Sequence, residues 1–285
     1  MMYYFLKAMS WLISKLSPRG LERVAAAMAF LVFDVLRLRR ALILKNLRIA
    51  FPNNEYTQAE LVKIGRKSIY HFALTALEFF HSQGHDIAAD INVVGDENIR
   101  DALEKNQGVY VLCFHLGNWE AMGAKISRTI CPAHVLVKKV GSSAVNRFVE
   151  ERRSQNGFIT VKRKKKGDGF RAIKDVLQSK EIVGFVMDQA RPGEPRLPFF
   201  GAPAKTNTSF AAIWHRAQAP IVPSYIMRKS ACVHELRFFP EIQVEMQGNT
   251  ESEIHKQSTF FNSVVERYVR DCPEQYFWAH NRWKV

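Results

Sequence analysis

Residues 109–120 read Val-Tyr-Val-Leu-Cys-Phe-His-Leu-Gly-Asn-Trp-Glu. The run Val109–Phe114 is short, apolar and β-rich, which predicts a buried strand ending just before His115. Gly117-Asn118 then turns the chain, and Asn118 is placed to N-cap a helix that begins Trp119-Glu120-Ala121-Met122. The bend matters for chemistry. Two residues five apart stand about 140° from each other on a continuous helix and on opposite faces of a strand, so only a turn lets them meet. His115 is expected at the C-terminal end of a strand and Glu120 in the first turn of the following helix. In open α/β sheets ligands bind at that edge. A carboxylate there can hold one imidazole nitrogen and leave the other free to take a proton from a hydroxyl. The same spacing also fits a hydrogen-bonded structural histidine beside a solvated glutamate. No metal cluster competes, because His134 and His234 lack ligand partners at useful spacing and His115 has no His or Cys three or four residues away. No metal or other cofactor is expected.

Outward from this stretch the pattern alternates. Strands are expected at Val109–Phe114, His134–Val137, Ile182–Met187, Ile221–Met227 and Val233–Phe239. Helices are expected near Glu97–Glu104, Trp119–Ser127, Ala144–Arg153, Phe170–Gln178, Ser209–Gln218 and Glu253–Arg270. The fold class is therefore α/β, a largely parallel central sheet flanked by helices, with the last two strands forming an antiparallel hairpin at its edge around Lys229-Ser230. Ile182–Met187 runs into Asp188-Gln189, and if it lies parallel to the first strand, Asp188 emerges on the same edge as His115. An ordinary strand-end aspartate fits equally. The Pro/Gly-rich loop that follows, with Phe199-Phe200-Gly201, reads as a shaped wall. Upstream, Thr57-Gln58-Ala59-Glu60 is a capping box opening a long helix to about Phe80. Glu78 lies on its apolar stretch, as a rim residue or as a site group.

The chain has 285 residues, with 41 Lys+Arg against 27 Asp+Glu and a net charge of +14. Such a field suits anionic membranes, acidic proteins or nucleic acid. The basic runs Arg37–Arg40 and Lys162–Lys166 carry no interleaved aromatics and no nucleic-acid motif, which disfavours nucleic acid. Four scattered cysteines, with no C-x-x-C pair, suit a reducing compartment. Residues 2–16 are rich in aromatic and aliphatic side chains, Ser17-Pro18-Arg19-Gly20 breaks them, and Val24–Leu36 falls short of the roughly 20 apolar residues of a span. An interfacial helical hairpin is expected over residues 1–40, with the basic cluster on the cytoplasmic side. Two amphipathic core helices and a single tilted span are the alternatives.

Taken together, the motifs resemble the bacterial lipid A acyltransferases of the late lauroyl/myristoyl type. The resemblance rests on Arg39-Arg40 through Asn46-Leu47-Arg48-Ile49-Ala50-Phe51-Pro52, on Glu78, and on His115-Leu116-Gly117-Asn118-Trp119-Glu120. It continues through Arg153, with Arg152 beside it leaving the placement open by one, Asp188-Gln189, Phe199-Phe200-Gly201, and the closing Glu274-Gln275-Tyr276, Trp278, His280, Arg282 and Lys284. It implies a glycerolipid-acyltransferase-like domain over residues 41–285 at the cytoplasmic face of the inner membrane. The implied reaction moves an acyl chain from acyl carrier protein to a hydroxyl of a lipid A precursor. His115 and Glu120 are the implied catalytic pair, with Asn118, Arg153, Asp188, Gln189 and Glu78 as substrate-binding candidates. A relative acting on another glycolipid or aminolipid, or a non-catalytic protein that binds anionic lipid, would share several of these features.

Overall fold

The computed structural model describes residues 1–137, 141–162, 168–189, 193–245, 248 and 250–284. Four helices come first: α1 (Met2–Ile13), α2 (Pro18–Ala29), α3 (Arg40–Ala50) and α4 (Gln58–His81), with a π-helical turn, Phe30–Val35, continuing α2. Strands and helices then alternate: β1 (Ile91–Val94), α5 (Asp96–Glu104), β2 (Val109–Cys113), α6 (Trp119–Thr129), β3 (Ala133–Val137), α7 (Ser143–Gln155), β4 (Ile159–Lys162), α8 (Asp168–Gln178) and β5 (Ile182–Val186). A small antiparallel hairpin, β6 (Arg196–Phe199) and β7 (Ala202–Lys205), precedes α9 (Ser209–Arg216). The chain closes with β8 (Ile221–Ser230), β9 (Val233–Phe238) and α10 (Glu251–Asp271).

The seven-stranded sheet has the order β1-β9-β8-β2-β5-β3-β4. Strands β8, β2, β5, β3 and β4 run parallel, and β9 returns antiparallel to β8 with β1 parallel beside it. The hairpin expected at the sheet edge therefore lies inside it, because β1, a four-residue strand that the sequence pattern does not announce, covers β9. Strand β2 is central and buried throughout. Tyr110 and Leu112 pack into one core, while Val109, Val111 and Cys113 pack into another on the opposite face. Its unbroken apolar run is that of a strand covered on both faces.

Helix α4 starts at the expected capping box: Thr57 accepts from the Glu60 amide, and the Glu60 carboxylate accepts from the Thr57 amide. Ser68, Thr75 and Glu78 form part of its buried stripe, and all three bond to the site described below. Leu21 and Ala25 of α2 pack against Ala73, Leu74 and Leu77 of α4. No helix among the described residues is long and apolar enough to cross a membrane. The N-terminal segment nevertheless exposes Tyr4, Phe5, Trp11, Leu12, Phe30, Leu31 and Leu36. In the Lys162–Lys166 run, residues 163–166 lie outside the described residues.

Candidate active site

Strands β2 and β5 are adjacent and parallel, with Cys113 opposite Val186. Each chain then advances two residues past that pair, to His115 on one side and Asp188 on the other. One carboxylate holds the histidine twice. The His115 amide donates to Asp188 Oδ2 at 2.9 Å, and Nδ1 lies 2.7 Å from Oδ1. With Asp188 ionised, Nδ1 carries the proton and donates, which leaves Nε2 as the unprotonated, accepting nitrogen. Asp188 is only 2% exposed. Burial pushes its carboxyl pKa up, but the charge and hydrogen bonds of His115 and the field of Arg282 outweigh that and hold it low. Burial likewise pulls the His115 pKa down, and Asp188, helped by Glu120, overcomes it and lifts the value above 6.5.

Glu120, the expected partner of His115, faces elsewhere. From the first turn of α6 it takes a bidentate pair of hydrogen bonds from Arg153 on α7, at 2.9 Å from Nε and 2.6 Å from Nη2. A fork-to-fork guanidinium pair is a stronger demand on a carboxylate than one imidazole N–H, and Asp188 already fills the imidazole position. Arg152, one position earlier, does not reach Glu120 and turns away to Ser10 and Gln83. The Glu120 charge still reaches His115 through space. Gln189 is exposed, with Nε2 3.4 Å from His115 Nε2. The imidazole stands edge-on to Trp119 at 4.9 Å between centroids and near Phe277, on which half-exposed Phe72 stacks.

Glu78 is a buried anchor, not a group open to substrate. At 2% exposure it accepts from Arg228 Nε and Nη2, at 3.2 and 2.7 Å, from Asn118 Nδ2 at 2.7 Å and from the Cys232 amide at 2.8 Å. Asn118 is likewise buried. Its Oδ1 caps α6 by accepting from the Ala121 amide, as the sequence predicts, and its amide group is spent on Glu78. Thr75 donates to the Gly117 carbonyl and accepts from Arg228. The turn between His115 and Glu120 is thus bolted from below by α4 and β8. It is bolted from the side by the C-terminal segment, where Gly117 N–H donates to the Gln275 carbonyl and Phe277 N–H to the His115 carbonyl. Arg228, Thr75 and Phe277 were not singled out from sequence. A carboxylate on the buried stripe of α4 signals the need for a cation, and Arg228, late in the apolar strand β8, supplies it.

Besides bracing the His115 turn, the closing blocks hold one another. Asn46 Nδ2 donates to the carbonyls of Trp278 and His280. Phe199 and Phe200, read as a wall, are buried against Trp283, Phe51 and Trp278. They fasten the C-terminal segment to the core because the β6–β7 turn folds them inward.

Gly117 has φ +62°, and a Cβ there would stand 1.9 Å from the Ile226 carbonyl oxygen. Backbone cannot yield as a side-chain tip can. Gly117→Ala is expected to cost about 1–3 kcal/mol and, by moving His115 relative to Glu120, to lower turnover about 10²-fold. Urea unfolding and a steady-state activity assay check both, and wild-type turnover in the variant would show that the turn tolerates displacement.

The family model for bacterial lipid A biosynthesis acyltransferases matches residues 1–285. The chain is 24% identical over 255 residues to the lipid A biosynthesis palmitoleoyltransferase of Escherichia coli (strain K12), covering 88% of this chain and 80% of that protein. A lipid A biosynthesis acyltransferase of Shigella flexneri matches to the same extent. The lipid A biosynthesis lauroyltransferase of Escherichia coli (strain K12) is 23% identical over 285 residues, covering 96% of this chain and 89% of that protein. With the whole chain matched, this protein belongs to the bacterial lipid A biosynthesis acyltransferase family.

Proposed function

We propose that the protein transfers a fatty acyl chain from acyl carrier protein to a hydroxyl of a lipid A precursor, with His115 as general base. The observation that carries this reading is the double hold of Asp188 on His115, which leaves Nε2 as the free base beside Trp119 and Phe277. His115 Nε2 takes the acceptor hydroxyl proton as that oxygen attacks the thioester carbonyl. The tetrahedral intermediate then collapses, forming the ester and expelling the carrier's thiolate, which recovers the proton from the imidazolium. Oxyanion stabilisation falls to the amides of Trp119 and Glu120 in the first turn of α6, which a helix leaves without intrahelical acceptors. The Glu120–Arg153 pair acts by placing its charges beside the imidazole and by orienting substrate. Aromatic Phe72, Trp119 and Phe277 suit an acyl chain at the mouth of the site.

A donor on an acidic carrier protein and a phosphorylated acceptor both suit a net charge of +14. A multi-chain lipid resists leaving its bilayer at about 0.8 kcal/mol per CH₂, so the enzyme works at the cytoplasmic face of the inner membrane. The apolar side chains exposed over the first forty residues support that placement.

The test is in-vitro transfer with detergent-solubilised protein, acyl carrier proteins bearing chains of several lengths, and a lipid A precursor beside an unrelated phospholipid. Mass-resolved acylation of the precursor is expected. Transfer to the phospholipid alone would keep the chemistry and replace the acceptor, and no transfer from any carrier-bound chain would overturn the donor. The pH profile is a separate expectation. A base must be deprotonated to act, and the His115 pKa is raised, so kcat/KM should climb with pH through an ionisation above 6.5. A limb centred well below that value would exclude His115 as the titrating base.

A further inference from the structure

A second polar feature shares no residue with the site above. An open pocket of about 490 Å³ lies between α1, the turn after α4, the end of α6 and the end of α7. Lys7, Arg128 and Arg152 line it with Ser82, Gln83 and Asn156, and none of the described lining residues is acidic. The two carboxylates nearby are already used: Glu151 accepts from Lys7 and Tyr3, and Asp86 accepts from Arg128. Arg152 differs from the other two cations. It is 4% exposed, and among the described residues its hydrogen bonds run only to neutral oxygens, at 3.0 Å to Gln155, 3.2 Å to Gln83 and 3.4 Å to Ser10. Its Nε has no hydrogen-bond partner among the described residues. A buried guanidinium is normally matched by a carboxylate or another anion, since the bare charge is costly to desolvate. Here burial pulls the Arg152 pKa down, with only the through-space fields of Glu151 and Tyr3 against it.

The rim indicates where such an anion comes from. Tyr4 and Trp11 lie three before and four after Lys7, on the same face of α1, and both are more than half exposed. Exposed aromatics beside a lysine are the side chains that settle at headgroup depth in a bilayer.

We propose that this pocket is a phosphate-binding site, with Arg152 as its buried anchor and Lys7 and Arg128 at its rim. A guanidinium fork with an unused N–H matches phosphate oxygens, and the side-chain amides of Gln83 and Asn156 add neutral N–H groups around it. The aromatic flank fits the phosphate of an anionic lipid headgroup, and inorganic phosphate presents the same chemistry.

The decisive variant is Gln83→Glu. It is nearly isosteric and sets a carboxylate where Gln83 Oε1 now stands 3.2 Å from Arg152 Nη2, so the protein would supply its own anion. In the full-length wild type, phosphate added at constant ionic strength should raise Tm by about 3 °C over chloride. His115→Ala should show the same shift. Gln83→Glu should lose it while melting no lower than wild type, and Lys7→Gln, at the rim, should need several-fold more phosphate. Sedimentation with vesicles of phosphatidylglycerol in phosphatidylcholine separates the sources. About fivefold weaker binding by Gln83→Glu assigns the phosphate to a lipid, and unchanged vesicle binding with a lost phosphate shift assigns it to the free anion. No phosphate-specific shift in the wild type, or a full shift in Gln83→Glu, would overturn the site.

Discussion

Asp188→Asn should lower kcat by about 10²–10⁴-fold, as much as His115→Ala, with the folded state retained. The size follows from which atom of the new amide faces the imidazole. In the native protein one carboxylate oxygen accepts from the His115 backbone amide and the other from Nδ1. An asparagine has one acceptor and one donor for those two places. The backbone amide can only donate, so it takes the asparagine oxygen, and the NH₂ is driven against Nδ1. That nitrogen must then accept, its proton moves to Nε2, and the base is lost although every heavy atom stays in place. Glu120→Gln changes no such choice, because Glu120 bonds Arg153 and not the ring. It should cost less in kcat and shift the rising limb of the pH profile slightly downward, since the Glu120 charge helps to raise the His115 pKa. Steady-state transfer assays on the three variants, with thermal unfolding as the control, test the ranking. Near-wild-type turnover in Asp188→Asn, or a larger loss in Glu120→Gln, would return the imidazole to Glu120.

That ranking shows where sequence reading runs out. Apolar runs that end on His115 and Asp188 announce two buried strands, and parallel alternation puts their C-terminal ends on one edge, so both residues were legible as neighbours. Which carboxylate the imidazole takes was not, because it depends on how α7 packs. Arg153 lies 33 residues from Glu120, and no local pattern says that its guanidinium will reach that glutamate. The partner of Glu78 was hidden for the same reason, being 150 residues distant. Among the strands, β1 is four residues long and only partly buried, β4 runs into a lysine-rich segment, and Pro198 and Pro203 interrupt β6 and β7. None of these short elements buries enough apolar surface to leave a periodic trace. The helical caps at Thr57 and Asn118, by contrast, rest on contacts three residues away, and they formed as read.

Arg228→Met is expected to be the most destabilising single change, at about 3–5 kcal/mol. The cost lies less in the contacts removed than in what remains. Glu78 would keep its buried position without its guanidinium partner, leaving beside it His234, 3.5 Å away, whose pKa burial pushes down against the pull of Glu78. In the wild type, burial raises the Glu78 pKa but Arg228, His234 and the hydrogen bonds outweigh it, so the folded value is depressed. A depressed carboxyl contributes stability above its unfolded pKa and loses it as pH falls through the folded one. Without Arg228 the balance reverses: the carboxyl takes up a proton more readily folded than unfolded, and the variant's deficit shrinks as pH falls. Urea unfolding at pH 8 and pH 5 should therefore show a larger gap from wild type at pH 8. Adding Glu78→Leu removes the stranded charge and should restore part of the stability. It should not restore turnover, because Asn118 Nδ2 and the Cys232 amide lose their acceptor and the cap that fixes the His115 turn is released. A double variant both stable and fully active would show that the network serves the fold alone. One that is stable but slow would separate holding the protein together from aiming its base.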